Sequence, residues 1–138
     1  MHNGLHQLGH TRSVNRRDHL LQTPDTFVRI ALPGLQDGTA VVHVSPAAGA
    51  GFTQYTVEFE PGGTLGAAAA QRFVYVLEGS ADLATDSSFQ TLGAGGYAYL
   101  PSGVEHTFAA RDKTRLAVIE KEYEPLDGVV EPATLIGK

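Results

Sequence analysis

Sixteen glycines and seven prolines are spread along 138 residues, and they leave no room for a long helix. Gly and Pro interrupt both helices and strand ladders, so the chain between them must fold as short segments joined by turns. Those segments are rich in Val, Thr, Tyr and Phe: 27–30, 40–44, 52–59, 73–77, 81–84, 97–100, 105–108 and 116–123. Several alternate with period two. In 52–59, Thr53, Tyr55, Val57 and Phe59 share one face, while Phe52, Gln54, Thr56 and Glu58 share the other. That alternation marks a strand with one buried face. About eight or nine such strands without a convincing helix predict an all-β domain, a closed antiparallel barrel or a sandwich. The alanine-rich stretch 65–72 follows Pro61-Gly62-Gly63 and reads as a loop running into a strand.

The length fits one domain, which buries roughly two-thirds of the surface its unfolded form exposes. The expected layout is an N-terminal arm over 1–20, the barrel over 21–125, and a linker or strap over 126–138. There is no cysteine, which excludes a disulfide framework, a thiolate metal site and a cysteine nucleophile. The net charge is −5 and the ten basic residues are not clustered, so no nucleic-acid partner is expected. No apolar run approaches the roughly 18 residues that cross a bilayer, and no membrane partner is expected either. The N-terminus lacks the apolar core of a signal peptide, and the expected location is cytoplasmic.

Local turn chemistry is legible in three places. Pro101 and Gly103 predict a tight turn that starts the strand carrying His106. Glu78-Gly79-Ser80 reads as a hairpin turn between two strands. Leu92-Gly-Ala-Gly-Gly96 precedes a strand rather than a helix, so it is a turn and not a phosphate cradle.

Two segments resemble the paired motifs of the cupin superfamily. Arg72-Phe-Val-Tyr-Val-Leu-Glu-Gly79 matches the strand and terminal glycine of the first motif, and Gly95-Gly-Tyr-Ala-Tyr-Leu-Pro-Ser-Gly-Val-Glu-His106 matches the second up to its histidine. The resemblance implies a cupin-type antiparallel β-barrel, also described as a double-stranded β-helix or jelly roll. Cupins commonly hold manganese or iron among three imidazoles and one carboxylate. Here the stretch where the first-motif ligands would fall reads Leu-Gly-Ala-Ala-Ala-Ala-Gln-Arg72, and Arg72 stands at the glutamate position. Alanine cannot ligate and a guanidinium repels a divalent ion. No metal ligand is carried over, and no cofactor is expected in this chain.

A wider set of residues resembles the N-terminal half of the (S)-ureidoglycine aminohydrolase family: 8–14, 17–20, Leu32-Pro-Gly34, Phe52-Thr-Gln-Tyr55 and Glu120-Lys-Glu-Tyr-Glu-Pro125. The resemblance implies a bicupin of allantoin catabolism, with two barrels joined in one chain. The resemblance implies a Mn2+-dependent hydrolase releasing ammonia, with the metal in a second cupin domain if one exists. This chain would then be a metal-free partner of that second barrel, or a builder of a homo-oligomer such as a dimer. Tyr75, Leu77, Val118 and Ile119 are candidates for an apolar packing face.

Other readings stay open. His106, Arg72, Gln54 and Tyr99 could line a barrel pocket for a small polar molecule, with the fork of Arg72 gripping a carboxylate or ureido oxygen. His106 could act as the base of a metal-independent isomerase. Against these stands the plainer reading, His106 as an interior histidine bonded to a neighbour, and Arg72 as one half of an ion pair with a glutamate such as Glu58, or as a head reaching solvent. For Gln54 and Tyr99 the plainer reading is ordinary strand packing. His2, His6 and His10 are spaced as on a helix face, but Gly4 and Gly9 oppose a helix there. Arg16-Arg17-Asp18-His19 reads as surface or inter-barrel pairs. Ser87 and Ser102 have no readable His/Asp partners, so no nucleophilic triad is expected.

Overall fold

A computed structural model describes residues 27–46 and 49–138, together with the backbone of two short paired stretches nearer the N-terminus. The N-terminal histidines and the Arg16–His19 run lie outside the described residues. The elements are β1 (Val14–Asn15), β2 (Leu20–Leu21), β3 (Arg29–Ile30), β4 (Leu35–Val44), β5 (Thr53–Leu65) and β6 (Gln71–Glu78). They continue with β7 (Ser80–Thr85), β8 (Phe89–Gly93), β9 (Tyr97–Leu100), β10 (His106–Ala110), β11 (Thr114–Lys121) and β12 (Leu135–Gly137). There is no α-helix among the described residues, as the spacing of Gly and Pro requires.

β1 and β2 pair with each other. The remaining strands form one curled antiparallel sheet in the order β12-β9-β6-β11-β5-β10-β7-β8, with β4 also on β5 and β3 on β4. Alternation decides what meets inside. Val57 and Phe59 of β5, Val74 and Val76 of β6, Leu83 of β7, Leu100 of β9, Phe108 of β10 and Leu116 and Val118 of β11 form one buried cluster. Val118 therefore faces the core and is not part of an outer packing face, unlike the expectation for it.

The longest strand, β5, does not stop at Pro61. It bends there and serves both halves of the sheet. Its first part pairs with β11 over Thr53–Phe59, and its end pairs with β10 through Thr64 and Leu65. Pro61 falls at the corner, where its missing N–H leaves no ladder bond unmade. Gly63 is required at the same corner, since a Cβ there would sit 2.6 Å from the Asp37 carbonyl oxygen. Asp37 takes positive φ at the matching irregularity in β4, a conformation that aspartate tolerates better than most residues.

The turn at Pro101 forms as expected: Val104 N donates to Pro101 O and Gly103 has φ of 79°, as a type II turn demands at its third residue. The Gly79 turn differs from expectation. β6 pairs with β9 and β11, whereas β7 pairs with β8 and β10, so these two strands do not form a hairpin. One residue cannot reverse the chain and pair its flanks, since two is the practical minimum. Gly79 instead carries the chain round a corner from one half of the sheet to the other, with φ of 81°.

Besides the two-residue β1 and β2, the strands β8 and β12 lie outside the expected segments. β8 is an edge strand whose residues other than Leu92 are exposed, so its pattern is weak. β12 is three residues long and pairs with β9, with Ile136 packed on the core. Glu131 fastens the segment before it by accepting bonds from the N–H and hydroxyl of Ser102.

Candidate functional site

The interior polar site is built by strand parity and register. On β6 the inward residues are Arg72, Val74 and Val76, so the same alternation that fills the core carries one arginine into it. On β11, Leu116, Val118 and Glu120 share the inward side, and Glu120 lies directly opposite Arg72 in the ladder. Tyr55 enters from β5, opposite Val118 and one step from Glu120. His106 is the first residue of β10, delivered by the Pro101 turn. Arg72 and His106 are 4% and 5% exposed.

Buried charge is tolerated only where it is paired and hydrogen-bonded. Arg72 meets that condition at every donor. Its Nε donates to Glu120 Oε2 at 2.8 Å, and Nη2 lies 2.7 Å from the same oxygen. Nη1 donates to the Gly66 carbonyl at 2.7 Å and to His106 Nε2 at 2.9 Å, while Nη2 also reaches the Tyr55 hydroxyl at 3.3 Å. The Tyr55 hydroxyl in turn donates to Glu120. Each of the three guanidinium nitrogens is thereby hydrogen-bonded.

This geometry fixes the protonation of His106. Arginine can only donate, so Nε2 is the acceptor, and Nδ1 carries the proton to the Val104 carbonyl at 2.8 Å. Burial holds the His106 pKa below the usual imidazole range; the Arg72 charge adds to this and the Val104 bond partly opposes it. Burial also drives the Tyr55 phenol well above its ordinary value, so it remains a neutral donor. With both ring nitrogens occupied, His106 can accept a further proton only by giving up Arg72.

The structure thus brings together two of the four pocket candidates, Arg72 and His106. Gln54 lies on the outward side of β5, and Tyr99 on the outward side of β9, where its hydroxyl donates to Gln71. Tyr99 lines a groove of about 430 Å3 with Tyr123 and Leu135, on the outside of the barrel. The partner of Arg72 is Glu120 and not Glu58, which faces outward and holds Arg29. Nor does the Arg72 head reach solvent. Tyr55 and Glu120 were missed by the sequence reading, although parity placed each with the core residues of its strand. A larger cavity of about 750 Å3 opens at the rim, between the 85–88 turn, the loop 103–105 and residues 134–136.

A divalent metal does not fit this interior. Among the described residues no three His, Asp or Glu side chains come together as a metal would require. The acceptor nitrogen of His106 and the Glu120 carboxylate both face the guanidinium, so a resident cation already holds the centre. No helix of the described residues is long and apolar enough to cross a membrane.

Comparison with known proteins agrees with the fold. A family model for the EutQ-like cupin domain covers residues 46–123. A protein of Oryza sativa subsp. japonica named "Probable (S)-ureidoglycine aminohydrolase" is 35% identical over 132 residues, covering 94% of this chain and 42% of its own length. The (S)-ureidoglycine aminohydrolase of Arabidopsis thaliana is 34% identical, covering 86% of this chain and 41% of its own. The chain therefore spans less than half the length of these curated relatives. The crystal structure of protein Ylba from E. coli superposes with a TM-score of 0.83 at 26% identity, over 95% of this chain and 57% of that one.

Proposed function

Because this chain belongs to the EutQ-like cupin family, we propose that it is a metal-free cupin domain of an (S)-ureidoglycine aminohydrolase-like protein. Its task is structural: to shape and assemble the protein beside a catalytic cupin, where a Mn2+ ion would do the hydrolytic chemistry that releases ammonia. One observation carries this reading. The Arg72 guanidinium occupies the barrel interior with each of its nitrogens already bonded within the protein, to Glu120, His106, Tyr55 and Gly66. A ligand carboxylate entering the barrel would have to displace Glu120, and a general base at His106 would have to break from Arg72.

The test is metal analysis and turnover of the purified chain. Metal well below one equivalent and no ammonia release from ureidoglycine are expected. About one tightly held Mn or Fe per chain would sink the proposal, as would turnover by the chain alone.

A further inference from the structure

The interior network uses only one oxygen of the Glu120 carboxylate. Oε2 accepts from Arg72 Nε at 2.8 Å and from the Tyr55 hydroxyl, and lies 2.7 Å from Arg72 Nη2. Among the described residues Oε1 accepts no hydrogen bond. An ionised carboxylate offers roughly four acceptor sites on its two oxygens, so the capacity of Oε1 is unused. The side chain is 22% exposed, and outside the network it lines a cavity of about 410 Å3 near the ends of β5, β6 and β11. Register builds this cavity. Thr53 is the partner of Glu120 on β5 and Arg72 is its partner on β6, so the three stand in one row across the sheet. The Thr53 hydroxyl also lacks a partner among the described residues and lines the same cavity. Phe52, 37% exposed, supplies an apolar wall with Ala50 and Ala70.

The lining selects the sign of a ligand. Glu120, Glu122 and Glu124 belong to it, against Lys121, whose Nζ already donates to Glu124 at 2.7 Å. Even with Arg72 behind Glu120, the anions outnumber the cations, which disfavours an anionic guest. A bare metal ion fits no better, because no three His, Asp or Glu of the described residues converge on one point. Two oxygen acceptors beside an aromatic ring suit an organic cation. Its N–H groups can bond the oxygens while its charge lies over the ring. The volume falls within the roughly 300–1,000 Å3 of small-ligand sites.

We propose that this cavity binds a small organic cation bearing N–H donors, an alkylammonium or a guanidinium, on Glu120 Oε1, the Thr53 hydroxyl and the Phe52 ring. Arg72 is a positioning residue here, holding the carboxylate from behind. The site goes beyond the structural role above and needs neither metal nor turnover.

Calorimetric titration of the purified chain with methylguanidinium and with propylammonium should show saturable binding of at least one, with Kd in roughly the millimolar range or tighter. Propionamide, similar in size but uncharged, and propionate should not bind. Glu120→Gln should weaken cation binding about tenfold or more. Thr53→Val and Phe52→Ala leave the Arg72–Glu120 pair in place and should each weaken it about threefold or more. Melting curves establish that each variant is folded, and if Glu120→Gln is not, the other two decide. No saturable binding of either cation below about 10 mM overturns the proposal. Binding that every folded variant leaves unchanged overturns it too, as does equal binding of propionamide. None of these outcomes bears on metal content or turnover, so the structural reading stands or falls separately.

Discussion

Arg72 donates to His106 Nε2 at 2.9 Å, and so a permanent cation selects the neutral tautomer of the histidine beside it. Protonating His106 would turn this hydrogen bond into a clash of two donors. The consequence is a stability that depends on pH. The folded pKa of His106 lies below its unfolded value of about 6.5, so the unfolded chain binds the extra proton first. Stability is complete above that value and falls as pH drops from there through the folded pKa. His43, also lowered by burial, acts with the same sign. Urea midpoints measured across this range should therefore slope less in His106→Gln, whose amide can accept from Arg72 and donate to Val104. Equal slopes would show that His106 does not carry the effect.

Removing the hub strands its partners. Arg72→Ala leaves the Gly66 carbonyl and His106 Nε2 without their donor, and the Glu120 carboxylate with the Tyr55 hydroxyl but no cation. The expected loss is about 3–5 kcal/mol, the range for breaking one side of a buried pair. Arg72→Lys should recover only part of it, because an ammonium cannot reproduce the planar fork. Equilibrium denaturation measures both, and a loss below about 1 kcal/mol for Arg72→Ala would contradict the network.

Metal should be irrelevant to the fold. Melting of the wild-type chain is expected to be the same after chelator treatment and after addition of Mn2+ or Fe2+. A ligand that binds only the folded state raises the melting temperature by mass action, so a metal-dependent rise would reveal a site.

The corner at Gly79 admits no other residue. Its φ is 81°, and a Cβ would lie 2.4 Å from the Lys113 carbonyl oxygen. Gly79→Ala should cost about 2 kcal/mol or more, the backbone strain adding to the clash. A melting temperature equal to wild type would refute that placement.

Glu131 should act as a clasp. Glu131→Ala removes both bonds to Ser102. Amide exchange should quicken in 131–137 while the barrel core stays protected, since local opening need not involve the whole domain. Unchanged exchange would mean that β12 holds without it.

The barrel was legible because its determinants are local. Alternation in 52–59 and 73–77, the Pro101–Gly103 turn and the glycine at 79 each act within a few residues. What failed was long range. Nothing near Glu78-Gly79-Ser80 says that β6 and β7 belong to different halves of the sheet, and so a corner looked like a hairpin. The interior site was half legible for the same reason. Arg72 and His106 stood out by residue type and position in a motif. Glu120 and Tyr55 are defined by the register of β11 against β6 and β5, and register is a property of pairs of strands. Val118 suits an outer apolar face by residue type, but it shares the parity of Leu116 on β11 and so faces the core.

β5 ties the two halves of the sheet together, and its partners β4, β10 and β11 lie before and well after it in the chain. That has a kinetic consequence. The barrel as a whole cannot close on local contacts alone, because the pairing of β5 with β11 must wait until residues 114–120 are available. Each such pairing meets the entropy of a long loop before any native contact offsets it, as in other sheet-dominated topologies that fold in roughly milliseconds to seconds. A newly made chain can pair β5 with β4 at once but holds the other edge of Thr53–Phe59 open until β11 has left the ribosome, and this is the interval in which a chaperone would matter most.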